Sequence, residues 1–362
     1  MRGNTSPVLK MPVAGSFNPV PKPAVWALLL LAALCFILDV ALGAIPIPPG
    51  EVVQILLGQG SDNASWVYIV EKIRFPKAIT AILVGCGLSV SGLQMQTLFR
   101  NPLAGPSVLG ITSGASLGVA LVMLPAGSIT SIYTIRELGL SGSWLIIAAS
   151  TLGAALVMLL VVAISVRLKD PVVMLIVGVM IGNITISIIS IWQYFSAPEQ
   201  IKDYLLWTFG SLGGVSESHL YVLATAVLLG LAISFASCKL LDALLLGDHY
   251  ARSMGLTVGR ARLVIITSTS ILAGSITAFC GPIGFIGIAV PHLTRALFPT
   301  SDHRLLIPCC CLTGTALMLC CDLMAQLPGS QTVLPINVIT ALVGSPVVIW
   351  IVMRRNSIKA AC

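Results

Sequence analysis

Two carboxylates, Asp39 and Asp322, are the residues of this chain best placed to do chemistry inside an apolar environment. Asp322 stands between two runs, 305–321 and 323–353, that contain no Asp, Glu, Lys or Arg. Ionisable residues within membrane segments are functional candidates by default, because a charge is costly to bury in lipid. Asp39 lies near the outer end of a predicted helix, where water could hydrate it. An isolated Asp322 would make a poor proton relay, so a structural hydrogen bond is the favoured interpretation.

Sequence motifs for catalysis are missing from the chain. It contains neither GxxxxGK[ST] nor HExxH, so it has no P-loop for ATP and no zincin site. Its ten cysteines form no CxxC and no metal-ligand spacing with histidine, and packing within apolar runs is their favoured role. We therefore expect no catalytic residue, no metal site and no cofactor in this chain.

Composition indicates an all-α polytopic membrane protein. The 362 residues are 57% hydrophobic and 9% charged, with a mean hydropathy of +1.00. Soluble domains carry about 25% charged residues, so a soluble enzyme is excluded. At about 20 residues per crossing, the apolar content suits around ten spans rather than a single-span receptor. Charge-free runs with Gly and Pro boundaries predict helices near 24–44, 78–98, 107–124, 144–166, 172–195, 218–238, 263–280, 283–298, 304–325 and 335–353.

The run 263–294 decides the topology, because it is either one long helix or two helices broken at Gly281-Pro282. Two helices return the basic residues that follow to the cytoplasm, which fits the positive-inside rule. Ten spans then place both termini inside, with a flexible tail over 1–23, a transmembrane domain over 24–356 and a short tail over 357–362. The net charge of +7 accordingly orients the chain in the lipid bilayer, and a nucleic-acid partner is not expected.

Four segments differ from ordinary membrane helix. Residues 85–118 are rich in Gly and Ser and are interrupted at Arg100-Asn101-Pro102, which suits a helix lining a pathway or a packed hairpin. Residues 241–262 form the longest predicted cytoplasmic connection, two short helices separated by Gly, and suit insertion into a partner's groove. Residues 281–304 gather His and Arg at an inner helix end.

The fourth segment carries two basic residues, Arg74 and Lys77, at an outer helix end. Positive charge there runs against the orientation rule. Anchoring at the membrane interface is one interpretation. Contact with an acidic extracytoplasmic partner is the sharper one.

Long motifs along the chain resemble the permease subunits of type II ABC importers, which handle iron–siderophore complexes, haem and cobalamin. They are SGLQMQTLFRNPLAGPSVLGITSGASLG at 91–118, LLLGDHYARSMGL at 244–256, GPIGFIGIAVPHLTR at 281–295 and LPINVITALVGSPVVIWIVMRR at 334–355. Their order and length make the resemblance specific, and it extends from about residue 25 to 356.

The resemblance implies ten helices, a homodimer with the pathway at its interface, two cytoplasmic ATPase subunits that bind ATP and Mg, and an extracytoplasmic substrate-binding protein. It implies a bacterial inner membrane. It also implies roles for particular residues. In the coupling segment 241–260, the residues implied to dock on the ATPase are Gly247, Asp248, Ala251, Arg252 and Gly255. The implied residues of the inner gate are Asn101 and Leu103, and the implied residues of the pathway are Ser187 and Ser190. The residues implied to meet the binding protein are Arg74 and Lys77.

The chain departs from the family pattern at three positions. Gln326 stands where relatives have Arg after the Asp of the ninth predicted helix, so one docking salt bridge is expected to be absent. Val333 and Asn337 replace a Glu and a Gly before the last helix. The cysteines at 309–311 and 320–321 are also unusual. Nothing in the sequence selects among the family's substrates.

Two other classes of function remain to be weighed. An ion-coupled secondary transporter would need no ATPase and would depend on Asp322. A membrane-embedded enzyme is the more distant alternative, because no catalytic constellation is evident. The coupling segment favours the importer permease.

Overall fold

A computed structural model describes residues 22–43, 45–61, 63–124, 140–167, 171–326 and 332–360. Its regular structure within these ranges is helical throughout. Most of the predicted tail over 1–23 lies outside them, as does the end of the tail over 357–362, whose first residues continue the last helix. The predicted all-α class is confirmed.

Each of the ten predicted membrane helices corresponds to a helix of the structure. These are α1 (Lys22–Ala41), α4 (Phe75–Phe99), α5 (Ile111–Met123), α6 (Leu140–Arg167), α7 (Pro171–Tyr194), α9 (Glu217–Ala236), α12 (Val258–Cys280), α13 (Ile286–Leu297), α14 (His303–Gln326) and α15 (Ile336–Ala360). Seven helices among the described residues are long and apolar enough to cross a membrane, and two shorter apolar ones correspond to α5 and α15. The chain is a polytopic membrane protein.

Shorter elements that sequence periodicity largely missed connect these helices. They are α2 (Pro49–Leu56), α3 (Ala64–Tyr68), a π-helix (Ile69–Arg74), a 3-10 turn (Pro106–Leu109), α8 (Pro198–Thr208), α10 (Cys238–Leu245) and α11 (Asp248–Ser253). Only α10 and α11 were predicted, as the two short helices of the coupling segment. We call the end with α10 and α11 the inner end and the opposite end the outer end, following the predicted orientation.

The break predicted at Gly281-Pro282 separates α12 from α13. Gly281, with a φ of +75°, ends α12, and Phe285, with a φ of +65°, directly precedes α13. The amide of Ser211 donates to the carbonyl of Cys280, and the amide of Gly284 donates to Asn337 Oδ1 at 2.9 Å. These bonds satisfy backbone groups that a broken helix would otherwise leave unpaired inside the protein.

Helix α4 is the centre of the bundle, and α9, α12, α13 and α14 all pack against it. Gly92 of α4 lies so close to α13 that a Cβ at this position would stand 1.7 Å from the carbonyl oxygen of Gly287. In lipid, helices associate by such close backbone packing and by hydrogen bonds across the interface. Buried polar side chains add such bonds, since Gln94 receives a hydrogen bond from Thr269 and donates one to Ser268.

We predict that Gly92→Ala destabilises the protein by about 3 kcal/mol or more, because the clash is with backbone that cannot rotate away. The measurement is thermal or denaturant unfolding of the purified protein in detergent. Gly214→Ala is the matched control, since a Cβ at Gly214 meets no atom within 4 Å. Equal stability of the two variants would show that α4 and α13 do not pack as described.

Candidate functional site

The inner end is built around the turn that follows α4. Arg100 adopts a left-handed φ of +47°, which ends the helix and reverses the chain. Asn101 Oδ1 accepts a hydrogen bond from the amide of Leu103 at 2.9 Å, a local bond that fixes the turn. The Leu103 side chain is half exposed. The predicted gate residues therefore sit on a rigid turn, with Leu103 at its surface.

Asp248 joins this turn to the coupling segment and to α12. Its Oδ1 accepts from Arg100 Nη2 at 2.9 Å, and its Oδ2 accepts from Arg262 Nη2 at 2.5 Å. The Arg262 side chain is only 5% exposed, so its partner carboxylate is needed to compensate a buried charge. Arg100 Nε also donates to the carbonyl of Leu244, in α10. A movement of α11 is therefore transmitted through Asp248 to Arg100 at the end of α4 and to Arg262 in α12.

Helix α13 holds the same turn from its other side. His292 Nε2 lies 2.7 Å from the carbonyl oxygen of Pro102. Arg295 donates to Gln96 Oε1 at 2.7 Å, and Gln96 Nε2 donates back to the carbonyl of Ile288. Of the residues that sequence analysis gathered at this helix end, His292 is thus tied to the turn after α4 and Arg295 to the last turns of α4 itself.

A buried chain of hydrogen bonds links α10, α14 and α4. His303 Nδ1 lies 2.6 Å from Asp242 Oδ1, and His303 Nε2 lies 3.0 Å from Thr97 Oγ1. The order Asp–His–Thr is that of a nucleophilic triad, but the Thr97 hydroxyl donates to the carbonyl of Leu93 and is buried. A nucleophilic hydroxyl must donate its hydrogen bond to the general base and must be accessible to substrate. The arrangement therefore fastens helices and does not indicate an enzyme.

The pKa of Asp242 is the net result of opposing effects. Burial raises the pKa. The hydrogen bonds from the side chain and amide of His303 lower the pKa by more than burial raises it, so the pKa lies below the ordinary value of 3.8. The carboxylate form is thus stabilised by its ties to α14.

The coupling segment exposes an apolar stripe at the inner end. Ala251 is fully buried, and it anchors α11 on the bundle, while Gly247 and Gly255 begin and end this helix at positive φ. Arg252 is exposed. The stripe consists of Leu246, Tyr250 and Met254, which are spaced four residues apart and are all more than half exposed. Exposed apolar side chains gathered in one short segment outside the apolar spans are typical of a protein-docking surface.

The two pathway candidates lie together on one helix. Ser187 and Ser190 are exposed on α7, and their hydroxyls donate to the carbonyls of Asn183 and Ile186. Such hydrogen bonds within the helix make a serine compatible with apolar surroundings. Within a single chain these serines face outward, so a pathway lined by them requires a second chain.

The outer end corrects the expected surroundings of Arg74 and Lys77. Arg74 is buried and donates to the carbonyls of Val40 at 2.9 Å, Ala41 at 2.8 Å and Ile45 at 2.5 Å. Lys77 Nζ lies 2.8 Å from Asp322 Oδ2 and is largely enclosed. Sequence analysis placed both cations at an outer interface, whereas in the structure both side chains point into the protein. Their contact with a binding protein stays a prediction.

Asp322 is also not the isolated carboxylate that sequence analysis described. Gln326 Nε2 donates to Asp39 Oδ1 and approaches Asp322 Oδ2 at 3.4 Å, so it bridges the two acids. Gln326 thereby acquires a role within the chain at the position where relatives were expected to carry Arg. The signal that sequence analysis missed is the shared placement of Asp39, Lys77 and Asp322 near outer helix ends.

A cavity of about 560 Å³ lies over this group at the outer end. Its wall is largely apolar and is completed by the segment before α15, which includes Val333. The charged and amide side chains that line it are Asp39, Arg74, Lys77, Asp322 and Gln326. No group of three His, Cys, Asp or Glu side chains among the described residues could hold a metal ion.

The described residues thus form a helical membrane bundle whose inner turn is tied to the neighbouring helices and whose outer end holds a cavity. A family model described as the FecCD transport family matches residues 29–354. The chain belongs to the FecCD transport family.

Named relatives agree with this assignment. The chain is 32% identical over 332 residues to the vitamin B12 import system permease protein BtuC of Klebsiella pneumoniae, covering 91% of this chain and 93% of that protein. It is 33% identical over 310 residues to the hemin transport system permease protein HmuU of Yersinia pestis, covering 84% and 88%. A solved metal-chelate type ABC transporter in an inward-facing conformation superposes with a TM-score of 0.78 at 25% identity, covering 92% of this chain and 99% of that one. The chain is thus a multi-pass inner-membrane permease of an ABC importer, and the resemblance inferred from its motifs is confirmed.

The bonds of Asp242 predict a pH dependence of stability. A lowered pKa means that the carboxylate contributes stability above its ordinary value of 3.8, and that this contribution is lost as the pH falls through the folded-state value. We predict that Asp242→Asn lowers the melting temperature at neutral pH and flattens its decline down to about pH 3 relative to wild type. Glu199→Gln, at an exposed position of α8, is the control and should melt as wild type does. Identical curves for wild type and Asp242→Asn would contradict the assignment.

Proposed function

We propose that this chain is one half of the transmembrane path of an importer for an iron–siderophore complex, haem or cobalamin. The names of two relatives give vitamin B12 and hemin as their cargo, and the iron–siderophore class comes from the family that the motifs resemble. The observation that carries the proposal is the coupling segment, in which an apolar stripe faces outward while Asp248 is tied inward to Arg100 and Arg262.

Two cytoplasmic ATPase subunits supply the energy in this proposal. The sequence carries no P-loop, so ATP and Mg are assigned to those subunits and this chain needs no cofactor of its own. The stripe of Leu246, Tyr250 and Met254, with Arg252 beside it, suits a groove on each ATPase, because short helical segments dock through exposed apolar side chains. Asp248 then positions the docking helix and does not itself contact the ATPase.

The path runs between two copies of this chain. The exposed face of α7, with Ser187 and Ser190, supports this assignment, because within one chain this face lies on the surface and forms no enclosed path. Asn101 and Leu103 form the inner gate, on a turn that the coupling segment can move through Arg100. A path lined by small and apolar side chains binds cargo weakly and suits release, since a ligand shifts a conformational equilibrium only through differential affinity.

An extracytoplasmic binding protein delivers cargo to the outer end, and both termini of the chain are cytoplasmic in this proposal. Arg74 and Lys77 take part by shaping the outer surface: Arg74 fixes the chain after α1, and Lys77 ties α4 to α14. Direct contact of these two side chains with the binding protein would require them to leave their present partners.

The rival function is an ion-coupled transporter without an ATPase, and the enclosed group of Asp39, Lys77 and Asp322 is the observation in its favour. It predicts uptake driven by an ion gradient alone. The importer predicts uptake that requires ATP and ceases when the ATPase carries an inactive nucleotide site. Uptake of a ferric siderophore, haem and cobalamin into proteoliposomes separates the two.

We predict that Tyr250→Ala combined with Arg252→Glu weakens binding of the ATPase at least tenfold, because it removes an aromatic anchor and reverses an adjacent charge. The measurement is the affinity of the purified ATPase for the reconstituted permease, together with ATP-dependent uptake. Arg304→Ala changes another exposed arginine at the inner end and should leave both unchanged. Wild-type binding and uptake by the double variant would overturn the assignment of the coupling segment.

A further inference from the structure

Helix α14 carries a group of cysteines to which the transport function gives no role. They stand at positions 309–311 and 320–321. Adjacent residues of a helix point in different directions, so these thiols face neighbouring helices rather than one another. What each cysteine can do therefore depends on the side chain that lies opposite it.

Cys320 lies opposite Cys35 of α1. Their Sγ atoms are 3.4 Å apart, and both residues carry free thiols. A disulfide bond has a sulfur–sulfur distance of about 2.05 Å, so the two sulfurs have to approach by about 1.4 Å from their separation of 3.4 Å. Small rotations about the two Cα–Cβ bonds can supply this approach.

A second contact between the same two helices fixes their register. Asp39, four residues after Cys35, accepts a hydrogen bond from Gln326, six residues after Cys320. Helix α14 begins beside α10, and both helices end at the outer cavity, so they run in the same direction. At about 1.5 Å per residue, each cysteine lies about 9 Å before the last residue of its helix, Ala41 or Gln326. The two thiols are thus at equal depth and can join without sliding of either helix.

The place of α1 in the bundle gives such a bond a structural consequence. Helix α14 is the main neighbour of α1, and the large side chains of Trp26, Leu30 and Leu34 are exposed on other parts of its surface. Asp39 of α1 and Asp322 of α14 both line the outer cavity. A covalent bond between the two helices fastens a peripheral helix and joins two parts of the cavity wall.

We propose that Cys35 and Cys320 are a redox-active pair, which forms a disulfide bond between α1 and α14 when the permease meets hydrogen peroxide. Cys320 is partly exposed and Cys35 is buried, so the small, uncharged oxidant reaches Cys320 first. In the reduced protein the helices are held by packing and hydrogen bonds. In the oxidised protein they are also joined covalently.

The reaction takes place in two steps. Peroxide converts the Cys320 thiol to a sulfenic acid, and one water leaves. The Cys35 sulfur then attacks the sulfenic sulfur, the sulfur–sulfur bond forms and the sulfur–oxygen bond breaks. The hydroxyl departs with the proton of the Cys35 thiol as a second water. Two electrons from the two sulfurs have then reduced one peroxide to two waters, and a dithiol reverses the bond by exchange.

This inference goes beyond the transport function and does not depend on the cargo. The thiol pair belongs to the permease chain alone, so it can be examined without an ATPase, a binding protein or a substrate. A failure of the thiol pair leaves the importer assignment intact, and a failure of ATP-dependent uptake leaves the thiol pair intact.

The test is thiol mapping of the purified full-length permease in lipid nanodiscs, before and after treatment with hydrogen peroxide. Free thiols are alkylated with N-ethylmaleimide in denaturant, and mass spectrometry of the peptides reports the label at each cysteine. We expect Cys35 and Cys320 to lose their label together, to appear as a linked pair of peptides, and to regain the label after dithiothreitol. Full labelling of either cysteine in peroxide-treated wild type would overturn the proposal.

Single variants separate this pair from the other thiols. In Cys35→Ala, Cys320 should stop at the sulfenic acid, which dimedone captures. Cys86→Ala is the matched control, because Cys86 of α4 contacts α14 elsewhere, at the carbonyl of Cys311 and the hydroxyl of Thr315. Its peroxide-treated form should link Cys35 to Cys320 as wild type does. Cys320 that resists both maleimide and dimedone in Cys35→Ala has another partner and would contradict the pairing.

Thermal unfolding is a second readout. The disulfide joins positions 285 residues apart, and a crosslink that closes a long loop restricts the unfolded chain strongly. Peroxide should therefore raise the melting temperature of wild type and Cys86→Ala by several degrees and leave those of Cys35→Ala and Cys320→Ala unchanged. The two variants remove opposite halves of the pair, so misfolding of one leaves the other to decide. An equal rise in wild type and in a variant that lacks one half would count against the site.

Discussion

Helix α4 has an ion pair near each of its ends, and both ends of the molecule depend on it. Lys77 pairs with Asp322 close to its start, and Arg100 pairs with Asp248 just after its end. At about 1.5 Å per residue, its 25 residues span about 37 Å. The helix is buried along most of this length and touches its neighbours through glycine. A displacement of one end is therefore transmitted to the other.

This construction explains why so few charged residues suffice. The charges of the described residues are concentrated where helices end, and there they tie elements together: Asp248 with two arginines, Arg295 with Gln96, and Lys77 with Asp322. The two enclosed ion pairs, Arg262 with Asp248 and Lys77 with Asp322, gain little net stability but break at a high cost, so they favour a few discrete arrangements over continuous deformation. A gate that alternates between two states needs this property. In the importer that we propose, ATPase subunits supply the energy for this change.

Sequence reasoning predicted the elements that depend on local composition and missed those that depend on tertiary contact. Nine charge-free runs, one of them divided at Gly281-Pro282, were enough to place ten helices. The left-handed Gly281 was visible in the sequence as this Gly-Pro break. The acid pair was not visible, because 287 residues separate Asp39 from Gln326, which bridges it to Asp322. The orientation of Arg74 and Lys77 was missed for the same reason. From sequence alone, a basic residue beside a helix end is predicted to be exposed. Arg74 is buried only because the carbonyls at the end of α1 lie against it in the folded protein. The docking role of 241–260 rests on sequence motifs, and the structure supplies the apolar stripe that makes it physically reasonable.

We propose that Asp248 and Arg100 carry movement from the coupling segment into α4. A double-mutant cycle with Arg100→Ala and Asp248→Asn tests it, with substrate imported per ATP hydrolysed as the measured quantity in proteoliposomes that contain the ATPase and the loaded binding protein. Each single variant should lower this ratio by about tenfold. The double variant should be no worse than Asp248→Asn alone, because Arg100→Ala breaks only one of the two ion pairs that Asp248→Asn breaks. Unchanged ratios in the single variants, or a loss in the double variant equal to the product of the two single losses, would contradict the account.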